Sequence, residues 1–522
     1  MKLNNLIENL KYEKLINFED VEITGISYNS KTTKSGDIFV CLVGEHSDGH
    51  QYFKSAVELG AKAFLVEKEL DCHLPQILVK STRKQIADIA DKFYNSPSRD
   101  VNLVGITGTN GKTTVTHLVQ KIIEAKGEKC ALIGTLGYKL SSGDTYKEAK
   151  HTTPQAPELQ ATLRLMVNEE KIKNVVIEVS SHALEQNRVG GCVFNGAVLT
   201  NLTQDHLDYH ITMDNYFDAK AILFKNLKAD SFAVINADDE YAQRFIDVVP
   251  EGVKIFTYGV KNQTDSAFKS KPDFELKSRL GFPTQQRKAD YALIDARYDL
   301  MATEVEFSLS GAEFICKGSF GEKKVKLHMN GMFSVYNVLA AFAVGLALGI
   351  DIDSCVKSLE TTTGVAGRFE VVAKNPLVIV DYAHTPDGLE NVLTAAREIT
   401  PKTSKLVCLF GCGGDRDSTK RPKMGAIAEK LSDKVVITSD NPRSEDPQQI
   451  ITDILTGLKS ISGDKVFVEA DRGKAIELLK SICDDTDVIV IAGKGHEDYQ
   501  ILKDKTIHFD DREEAKKVFL GA

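Results

Sequence analysis

Residues Val101–Thr114 read VNLVGITGTNGKTT, and the rest of the chain is best interpreted from this stretch outward. It begins with an apolar run typical of a buried strand, continues into a loop bracketed by glycines, and opens into a helix. Apolar residues spaced at i, i+3, i+4, i+7 and i+8 predict that helix, and Gly127 stands where it should end. The apolar face consists of Val115, Leu118, Val119, Ile122 and Ile123.

The glycine-bracketed loop is typical of a site for a nucleoside triphosphate. Gly108 and Gly111 let backbone N–H groups turn towards a polyphosphate. Lys112 would then neutralise phosphate charge, and the Thr113 hydroxyl would ligate Mg²⁺. The stretch departs from G-x-x-x-x-G-K-[ST], because Ile106 stands where the first glycine is expected. The strand before the loop and the amphipathic helix after it nevertheless favour nucleotide binding.

The composition is that of a soluble globular protein. Of the 522 residues 42% are hydrophobic and 27% charged, and a net charge of −9 argues against a nucleic-acid partner. No apolar run approaches the roughly 20 residues that span a bilayer, so we expect no membrane insertion. The nine cysteines include no CxxC pair and the N-terminus lacks a leader pattern, which favours free thiols and a cytoplasmic location. We expect a monomer.

Three α/β domains are predicted from the order of apolar runs. Residues 1–99 alternate short strands with helical stretches, and the polar, proline-containing segment 95–100 marks the first boundary. Residues 100–365 carry continuous apolar runs, which are typical of a parallel sheet covered on both faces. Residues 366–522 alternate strands and helices, which predicts a doubly wound parallel sheet.

Within the central region the apolar runs predict strands at Asn174–Ser180 and Gly196–Leu202, among others. Residues 260–300 are polar and irregular, and they predict a long surface insertion. Thr303–Phe320 alternates apolar and polar residues and therefore predicts antiparallel hairpin strands.

Three polar clusters follow strands in the central region. Glu178 ends one strand and would ligate Mg²⁺, although Ser180 and Ser181 next to it also suit a helix N-cap. His206 lies in the loop NLTQDHLDYH, which would be either solvated or close to a metal ion. Lys220 lies on an amphipathic helix, where a surface charge is the ordinary interpretation.

In the last region polar residues again follow strands, at the edge where doubly wound sheets bind ligands. In the segment DNPR, the Arg443 fork suits a carboxylate and Asp440 suits an ammonium group. This pair is what an amino-acid pocket needs. A surface salt bridge between the two residues is the alternative.

Taken together, the motifs resemble those of the Mur ligases, the ATP-dependent enzymes that form amide bonds in peptidoglycan synthesis. The motifs occur in the family's order over nearly the whole chain. They are GTNGKTT, EVSSHALEQNRV, NLTQDHLDYH, MFSVYNVLAA, GRFE, DYAHTP, GGDRD, DNPR and GKGHE. The 260–300 stretch is longer than is usual in the family, which leaves its local structure open.

The resemblance implies an N-terminal domain for a UDP-linked sugar, a central ATPase domain of the phosphate-loop type and a C-terminal Rossmann-like domain for an amino acid. It further implies that ATP phosphorylates the terminal carboxylate of UDP-N-acetylmuramoyl-L-alanyl-D-glutamate. The amine of meso-2,6-diaminopimelate would then attack the acyl phosphate. Mg²⁺ would accompany the nucleotide.

The resemblance also assigns residues to the nucleotide and the metal. The catalytic residues would be Lys112, His206 and Lys220, with Lys220 converted by CO₂ into a carbamate (N6-carboxylysine). The metal ligands would be Thr113, Glu178, His206 and the carbamate of Lys220. The ATP-binding residues would be Gly108, Thr109, Asn110, Gly111, Lys112, Thr113, Thr114, Asn337, Arg368, Asp381 and His384.

Two further sets of residues follow from the resemblance. The UDP-sugar peptide would be bound by Ser30, Thr152, Thr153, Ser180, Gln186 and Arg188. Residues 29–31 read NSK where the family usually has D-S-R, so Ser30 matches less closely than the others. Diaminopimelate would be bound by Arg416, Asp440, Asn441, Pro442, Arg443, Gly493 and Glu497.

Arg443 also decides among the alternatives within the family. Diaminopimelate carries a carboxylate at its far end that lysine lacks, and the lysine-adding relatives lack this arginine. Arg443 and the full-length N-terminal domain therefore argue against both a lysine-adding and a folylpolyglutamate-type ligase. In a different class, a nucleotide-switched binding protein or a transport ATPase would need no acceptor pocket.

Overall fold

The computed structural model describes residues 1–44, 47–147, 151–261, 297–308, 310–459 and 463–521. Three β-sheets, each flanked by helices, and a separate hairpin make up the described chain. Most of the insertion predicted at residues 260–300 lies outside these residues. Within the part that is described, none of the helices combines the length and apolar character needed to cross a membrane.

The first sheet has five strands in the order β1-β5-β4-β3-β2, and only β1 runs antiparallel to its neighbour. Its strands are β1 (Lys14–Ile16), β2 (Gly25–Ser27), β3 (Asp37–Val40), β4 (Ala63–Val66) and β5 (Gln76–Leu78). The helices around it are α1 (Leu3–Ile7), α2 (Phe53–Glu58) and α3 (Thr82–Phe93).

The second sheet has ten strands in the order β15-β14-β13-β12-β11-β10-β6-β9-β7-β8. The strands from β13 to β7 in this order run parallel, while β8 at one edge and β14 with β15 at the other run antiparallel. The strands are β6 (Asn102–Thr107), β7 (Cys130–Gly134), β8 (Gly137–Lys139), β9 (Asn174–Glu178), β10 (Gly196–Leu199), β11 (Phe232–Asn236), β12 (Lys254–Val260), β13 (Leu300–Ser308), β14 (Gly311–Gly318) and β15 (Gly321–Leu327).

Helices cover both faces of this sheet, which explains why its strands are apolar without alternation. The helices are α4 (Lys112–Ala125), α5 (Ala156–Asn168), α6 (Ser181–Glu185), α7 (Leu207–His210), α8 (Met213–Lys225), α9 (Ala242–Val248), α10 (Met332–Ala347) and α11 (Ile352–Leu359). In β6, Leu103 joins the core on one face while Val104 and Ile106 join the core on the other. The predicted apolar face of α4 is buried and packs in the same core as α10.

The third sheet has the order β16-β17-β21-β18-β19-β20 and is parallel except for β16. Its strands are β16 (Glu370–Lys374), β17 (Leu377–Asp381), β18 (Leu406–Phe410), β19 (Lys434–Ile437), β20 (Val466–Val468) and β21 (Val488–Ala492), and the hairpin is β22 (Tyr499–Ile501) with β23 (Thr506–His508). The helices are α12 (Pro386–Ile399), α13 (Lys420–Leu431), α14 (Pro447–Leu455), α15 (Arg472–Ile482) and α16 (Asp511–Leu520). Buried residues form a core on each face of the sheet, so the predicted doubly wound α/β class is confirmed.

Local differences from the sequence prediction have physical causes. The predicted strands Asn174–Ser180 and Gly196–Leu202 end at Glu178 and Leu199. The N–H groups of Val179 and Thr200 still donate to Ile106 and Thr107 of β6, at 2.8 and 3.0 Å, but β6 itself ends at Thr107, so the ladder goes no further. The hairpin predicted at Thr303–Phe320 is present as β13 and β14. The edge strand β16 and the hairpin of β22 and β23 were not predicted.

Candidate active site

The phosphate loop between β6 and α4 needs glycine at two positions. Gly108 and Gly111 have φ values of +149° and +87°, where other residues are strained. A Cβ atom on Gly108 would lie 1.9 Å from Thr200 Oγ1, and one on Gly111 would lie 2.4 Å from Asn337 Oδ1. Backbone conformation and close packing therefore both exclude a side chain at these positions.

The loop after β10 holds the phosphate loop in place. The backbone N–H groups of Thr109 and Asn110 donate to the carbonyl oxygen and to Oδ1 of Asn201, each at 2.9 Å. Thr109 Oγ1 donates to the carbonyl of Thr203 at 3.0 Å. Two adjacent strands thus fix the loop before any ligand binds.

Two lysines meet at the carbonyl oxygen of Gly108. Lys112 Nζ donates to it at 2.8 Å and Lys220 Nζ donates to it at 2.9 Å. Only 1% of Lys220 is exposed, so its interpretation as a surface charge is wrong. Burial lowers the pKa of both amines, and for Lys220 the charge of Lys112 lowers the pKa further.

Glu178 lies beside the first turn of α4. Its Oε2 accepts from Thr113 Oγ1 at 3.0 Å and from Thr135 Oγ1 at 2.9 Å, and the carboxylate is buried. Arg368 Nη2 donates to Thr113 Oγ1 at 3.3 Å. Ser180 does act as an N-cap, since its Oγ accepts from the N–H of Ala183 at 3.2 Å. The cap and the buried carboxylate therefore exist together.

His206 lies in a group of rings next to Lys220. Its Nε2 is 3.2 Å from Asp205 Oδ2, and its ring centroid is 4.9 Å from that of His182. The ring of Tyr216 lies next to that of His206, with 6.2 Å between the two centroids. Lys220 Nζ is 4.5 Å from the centroid of the Tyr216 ring. Burial lowers the pKa of His206. Across the described ranges, no group of three or more His, Cys, Asp or Glu is arranged to hold a metal ion.

A cleft of about 310 Å³ separates the phosphate loop from the third sheet. Six of the predicted ATP-binding residues line it. They are Asn110, Gly111, Thr114, Asn337, Arg368 and Asp381. Asp238 and Tyr336 also line the cleft and were not predicted. Asp238 stands outside the recognised motifs, whereas Tyr336 lies within MFSVYNVLAA next to Asn337, so that motif was the available signal. The lining comes from both the second and the third sheet, so the cleft exists only where the two meet.

On the third-sheet side, Arg368 lies over the ring of Tyr382, with 4.3 Å from its guanidinium carbon to the ring centroid. The imidazole of His384 is 4.7 Å from the same ring. Burial and then the charge of Lys420 lower the pKa of His384 to about 4. Burial raises the pKa of Asp381, whose oxygens accept from two backbone N–H groups.

In addition to the bond from Arg368 to Thr113, two further hydrogen bonds cross between the second and third sheets beside the cleft. Asn110 Nδ2 donates to Asp387 Oδ2 at 2.7 Å, and Lys423 Nζ donates to Gln204 Oε1 at 2.6 Å. The first joins the phosphate loop to α12, and the second joins the loop containing His206 to α13. The third sheet is therefore held directly against the nucleotide loops.

The residues predicted to bind a UDP-sugar peptide form one connected group, apart from Ser30. Thr153 Oγ1 donates to the carbonyl of Glu178 at 2.8 Å and accepts from the N–H of Ser180 at 3.0 Å. Arg188 Nη1 donates to the carbonyl of Thr153 at 3.1 Å, and its Nη2 donates to Gln186 Oε1 at 2.8 Å.

Thr152 and Ser30 lie at the borders of this group. Thr152 Oγ1 is 3.2 Å from the hydroxyl of Thr135, which also bonds to Glu178. Ser30 lies in the loop after β2 and is half-buried. Two residues before it, the Tyr28 hydroxyl donates to Glu158 Oε1 on α5 at 2.5 Å. That hydrogen bond joins the first sheet to a helix of the second sheet, close to the group around Thr153 and Arg188.

The second candidate pocket lies at the ends of β19 and β21. Asn441 Nδ2 donates to Glu497 Oε2 at 2.9 Å. Gly493 lies against Asp440, since a Cβ atom built on Gly493 would be 3.4 Å from Asp440 Oδ2. Asp440 Oδ1 is buried and has no hydrogen-bond partner among the described residues. Burial, and then the charge of Asp440, raises the pKa of Glu497. These carboxylates leave acceptor capacity for an incoming cation.

Lys494, which was not predicted, lies fully buried between these carboxylates, with its Nζ 3.3 Å from Glu497 and 3.9 Å from Asp440. Its place inside the GKGHE motif was the available signal. One resident cation therefore partly offsets two buried acids.

Arginines border the same pocket. Arg443 Nη1 donates to the carbonyl of Gly414 at 2.9 Å and to that of Asn441 at 3.3 Å. Arg416 is exposed and donates to the carbonyl of Asp415 at 2.9 Å. Because Arg443 bonds to backbone carbonyls, the surface salt bridge with Asp440 is the wrong interpretation. Its guanidinium keeps donors for a carboxylate.

A phosphate loop and a separate charged pocket on adjoining α/β sheets define a class, the nucleotide-dependent enzymes that carry their own acceptor pocket. Family models match three parts of the chain. The Mur ligase family catalytic domain matches residues 22–94, the Mur ligase middle domain residues 106–345, and the Mur ligase glutamate ligase domain residues 367–495. The chain belongs to the Mur ligase family.

Individual relatives match this chain over nearly its full length. A protein of Syntrophomonas wolfei described as UDP-N-acetylmuramoyl-L-alanyl-D-glutamate--2,6-diaminopimelate ligase is 42% identical, covering 100% of this chain and 99% of its own. A solved structure described as the same ligase is 31% identical with a TM-score of 0.65, covering 100% and 99% of the two chains. A MurF ligase of Thermotoga maritima in complex with ADP shares the fold, at 17% identity and a TM-score of 0.61 over 96% and 98%.

The glycine requirement gives a testable prediction. Gly108→Ala should weaken ATP binding by about tenfold or more, because the added Cβ meets Thr200 Oγ1 and the backbone conformation disfavours it. The matched control is Gly143→Ala, where a Cβ meets nothing within 4 Å. Titration calorimetry with a non-hydrolysable ATP analogue would measure both. An affinity within twofold of the wild type for Gly108→Ala would contradict the glycine argument.

Proposed function

We propose that this protein joins meso-2,6-diaminopimelate to UDP-N-acetylmuramoyl-L-alanyl-D-glutamate, at the cost of ATP and through an acyl phosphate. The observation that carries the proposal is the pairing of a cationic phosphate loop with an acceptor pocket that has Arg443 at its border. The relatives described as this ligase, at 42% identity over the full length, support the same substrates.

ATP is needed because a carboxylate is a poor electrophile with a poor leaving group. The carboxylate oxygen of the dipeptide attacks the γ-phosphorus, and the bond to ADP breaks. The amine of diaminopimelate then attacks the acyl carbon, loses a proton and expels phosphate, which leaves an amide. Lys112 offsets the charge of the transferring phosphoryl group, the main electrostatic task in such transfers.

The residues present fit a magnesium ion at the nucleotide. The Thr113 hydroxyl and the buried Glu178 carboxylate lie 3.0 Å apart, and hard oxygen ligands of this kind suit Mg²⁺. His206 and a carbamate on Lys220 would complete the set. When bound, Mg²⁺ neutralises phosphate charge, while Thr135 and Arg368 hold the carboxylate and the hydroxyl in position.

The environment of Lys220 suits carbamate formation. CO₂ adds only to a neutral amine, and burial together with Lys112 lowers the pKa of Lys220 far below its usual range. The nitrogen of the neutral amine bonds to the carbon of CO₂ and releases a proton, so an uncharged amine becomes an anion. The product would then pair with Lys112, whose Nζ donates to the same carbonyl oxygen as Lys220 Nζ.

The remaining residues take their roles from this reaction. We assign the UDP-linked substrate to the first sheet (residues 1–99) and to the group around Thr153 and Arg188. We assign ATP to the cleft of the central part (residues 100–365), including His384 at its edge. Diaminopimelate would bind in the C-terminal part (residues 366–522), with its ammonium at Asp440, Asn441 and Glu497, and its far carboxylate at Arg416 and Arg443.

The coupling of ATP use to its acceptors tests the proposed function. Phosphate release should require the UDP-linked dipeptide, because its carboxylate accepts the phosphoryl group, and sustained release should also require diaminopimelate. A continuous phosphate assay with each component left out would measure this. Steady ATP hydrolysis without the other two substrates would favour a nucleotide switch or a transport ATPase.

Recognition of the far carboxylate gives a second prediction. Arg443→Ala should raise the KM for diaminopimelate by about 10- to 100-fold, the usual cost of a lost charged hydrogen bond, and should leave the KM for ATP unchanged. The control is Lys503→Ala, which removes an exposed cation in the turn of the nearby hairpin. Unaltered selectivity for diaminopimelate over lysine in Arg443→Ala would remove the substrate assignment.

Carbamylation gives a third prediction. Intact-protein mass measured in bicarbonate under native conditions should show an adduct of CO₂ that is missing in Lys220→Ala. The same variant should lose nearly all turnover, with partial rescue by a small carboxylate such as acetate, because the anion replaces the carbamate. A bare amine at Lys220 in the active wild-type protein would count against the carbamate.

A further inference from the structure

A buried arginine lies beneath the proposed diaminopimelate pocket. Arg472 is the first residue of α15, and its side chain and that of Asp511, the first residue of α16, are both 0% exposed. Its Nε donates to Asp511 Oδ1 and its Nη2 to Asp511 Oδ2, each at 2.7 Å. This bidentate pair fixes the plane of the guanidinium.

The remaining donors of Arg472 reach two loops of the pocket. Nη2 donates to the carbonyl of Ala492 at 2.9 Å, and Nη1 donates to the carbonyl of Ser439 at 3.4 Å. Ala492 directly precedes Gly493, and Ser439 directly precedes Asp440. One side chain therefore bonds to the backbone next to both halves of the pocket.

These two loops are not neighbours in the sheet. Ser439 follows β19 and Ala492 ends β21, and β18 lies between those strands. No ladder hydrogen bond therefore joins the two strand ends directly. Farther along the loops, Asn441 also bonds to Glu497 and to the N–H of Ile501, so Arg472 acts at the base of the pocket, where the strands end. A Cβ built on Gly493 would lie 3.8 Å from Arg472 Nη2 and 3.4 Å from Asp440 Oδ2, so the guanidinium, Gly493 and Asp440 pack together.

We propose that Arg472 is a positioning residue that sets the spacing between Asp440 and Glu497, and thereby the affinity for diaminopimelate. This inference rests on the proposed function. A buried ion pair is a weak source of stability, because desolvation offsets much of the attraction. The effect of Arg472 here is geometric, since its guanidinium holds the ends of β19 and β21 at a fixed separation. Misplacement of a binding group by about 1 Å can cost up to about 10²-fold in rate.

The first test is the conservative variant. Arg472→Lys keeps the charge but loses the planar fork, so its single nitrogen cannot reproduce the contacts that Nε, Nη1 and Nη2 make to Asp511 and to both loops. The KM for diaminopimelate should rise by about tenfold or more, while the KM for ATP and for the UDP-linked dipeptide stay within twofold. Steady-state amide formation measured against each substrate in turn gives these values.

A double variant separates positioning from burial of a charge. Arg472→Met with Asp511→Leu removes both charges, so neither is left unpaired in the core. The melting temperature should stay near that of the wild type, while the KM for diaminopimelate remains raised. Leu479→Ala on the same helix is the matched control, because it opens a cavity in the core without contacting either loop. It should lower the melting temperature and leave that KM unchanged.

The outcomes are decisive in both directions. A selective rise in the KM for diaminopimelate in both Arg472 variants supports the inference. Wild-type KM in the double variant, or a parallel loss for all three substrates that follows the melting temperature as in Leu479→Ala, would overturn it. Wild-type protein that forms no amide with diaminopimelate would instead refute the proposed function itself, so the two failures are distinguishable.

Discussion

Two buried lysine amines share one backbone carbonyl of the phosphate loop, and much of the surrounding structure is arranged around that contact. Lys112 and Lys220 both donate to the oxygen of Gly108, at 2.8 and 2.9 Å, although burial disfavours the charged form of each. Two cations this close repel unless an anion separates them or one of them becomes neutral. The site therefore favours negative charge, and the proposed function assigns that charge to phosphate and to a carbamate on Lys220.

Parallel sheets explain how residues far apart in sequence reach this point. The carboxyl ends of neighbouring parallel strands lie at one edge, so the loops after β6, β9 and β10 meet there, bringing Gly108, Glu178 and Asn201 together. The third sheet repeats the arrangement with the loops after β19 and β21, which carry Asp440 and Gly493. Under the proposed function, the edge of the second sheet thus holds ATP and the edge of the third sheet holds diaminopimelate.

Local patterns predicted the frame of the fold well. The apolar face of α4 and the strand–loop–helix order around Gly108 are readable from spacing alone, because they depend on neighbours in sequence. The doubly wound class follows from alternating strands and helices in the same way. Strand ends were less predictable, since the ladder that β9 and β10 form with β6 ends where β6 gives way to the phosphate loop, at Thr107.

The functional residues were harder to read, because their environment depends on distant contacts. Helical spacing indicates a surface position for Lys220, and only the tertiary structure shows that it is buried against Gly108. Resemblance to a family supplied that residue, whereas it did not supply Lys494 or Arg472. Arg472 is a buried cation whose partner Asp511 lies on another helix, and one sequence carries no local signal for such pairing. Lys494 pairs with Glu497 in the same GKGHE motif, but its burial and its approach to Asp440 depend on the tertiary structure.

The hydrogen bond between Asn110 and Asp387 joins a loop that touches nucleotide to a helix of the sheet that carries the other pocket. Occupancy of either pocket is then linked to the docking of the two units. By thermodynamic reciprocity, if the nucleotide changes the affinity for the acceptor by some factor, the acceptor changes the affinity for the nucleotide by the same factor. Under the proposed function, the same bond would keep the captor of the activated intermediate beside the loop where that intermediate forms.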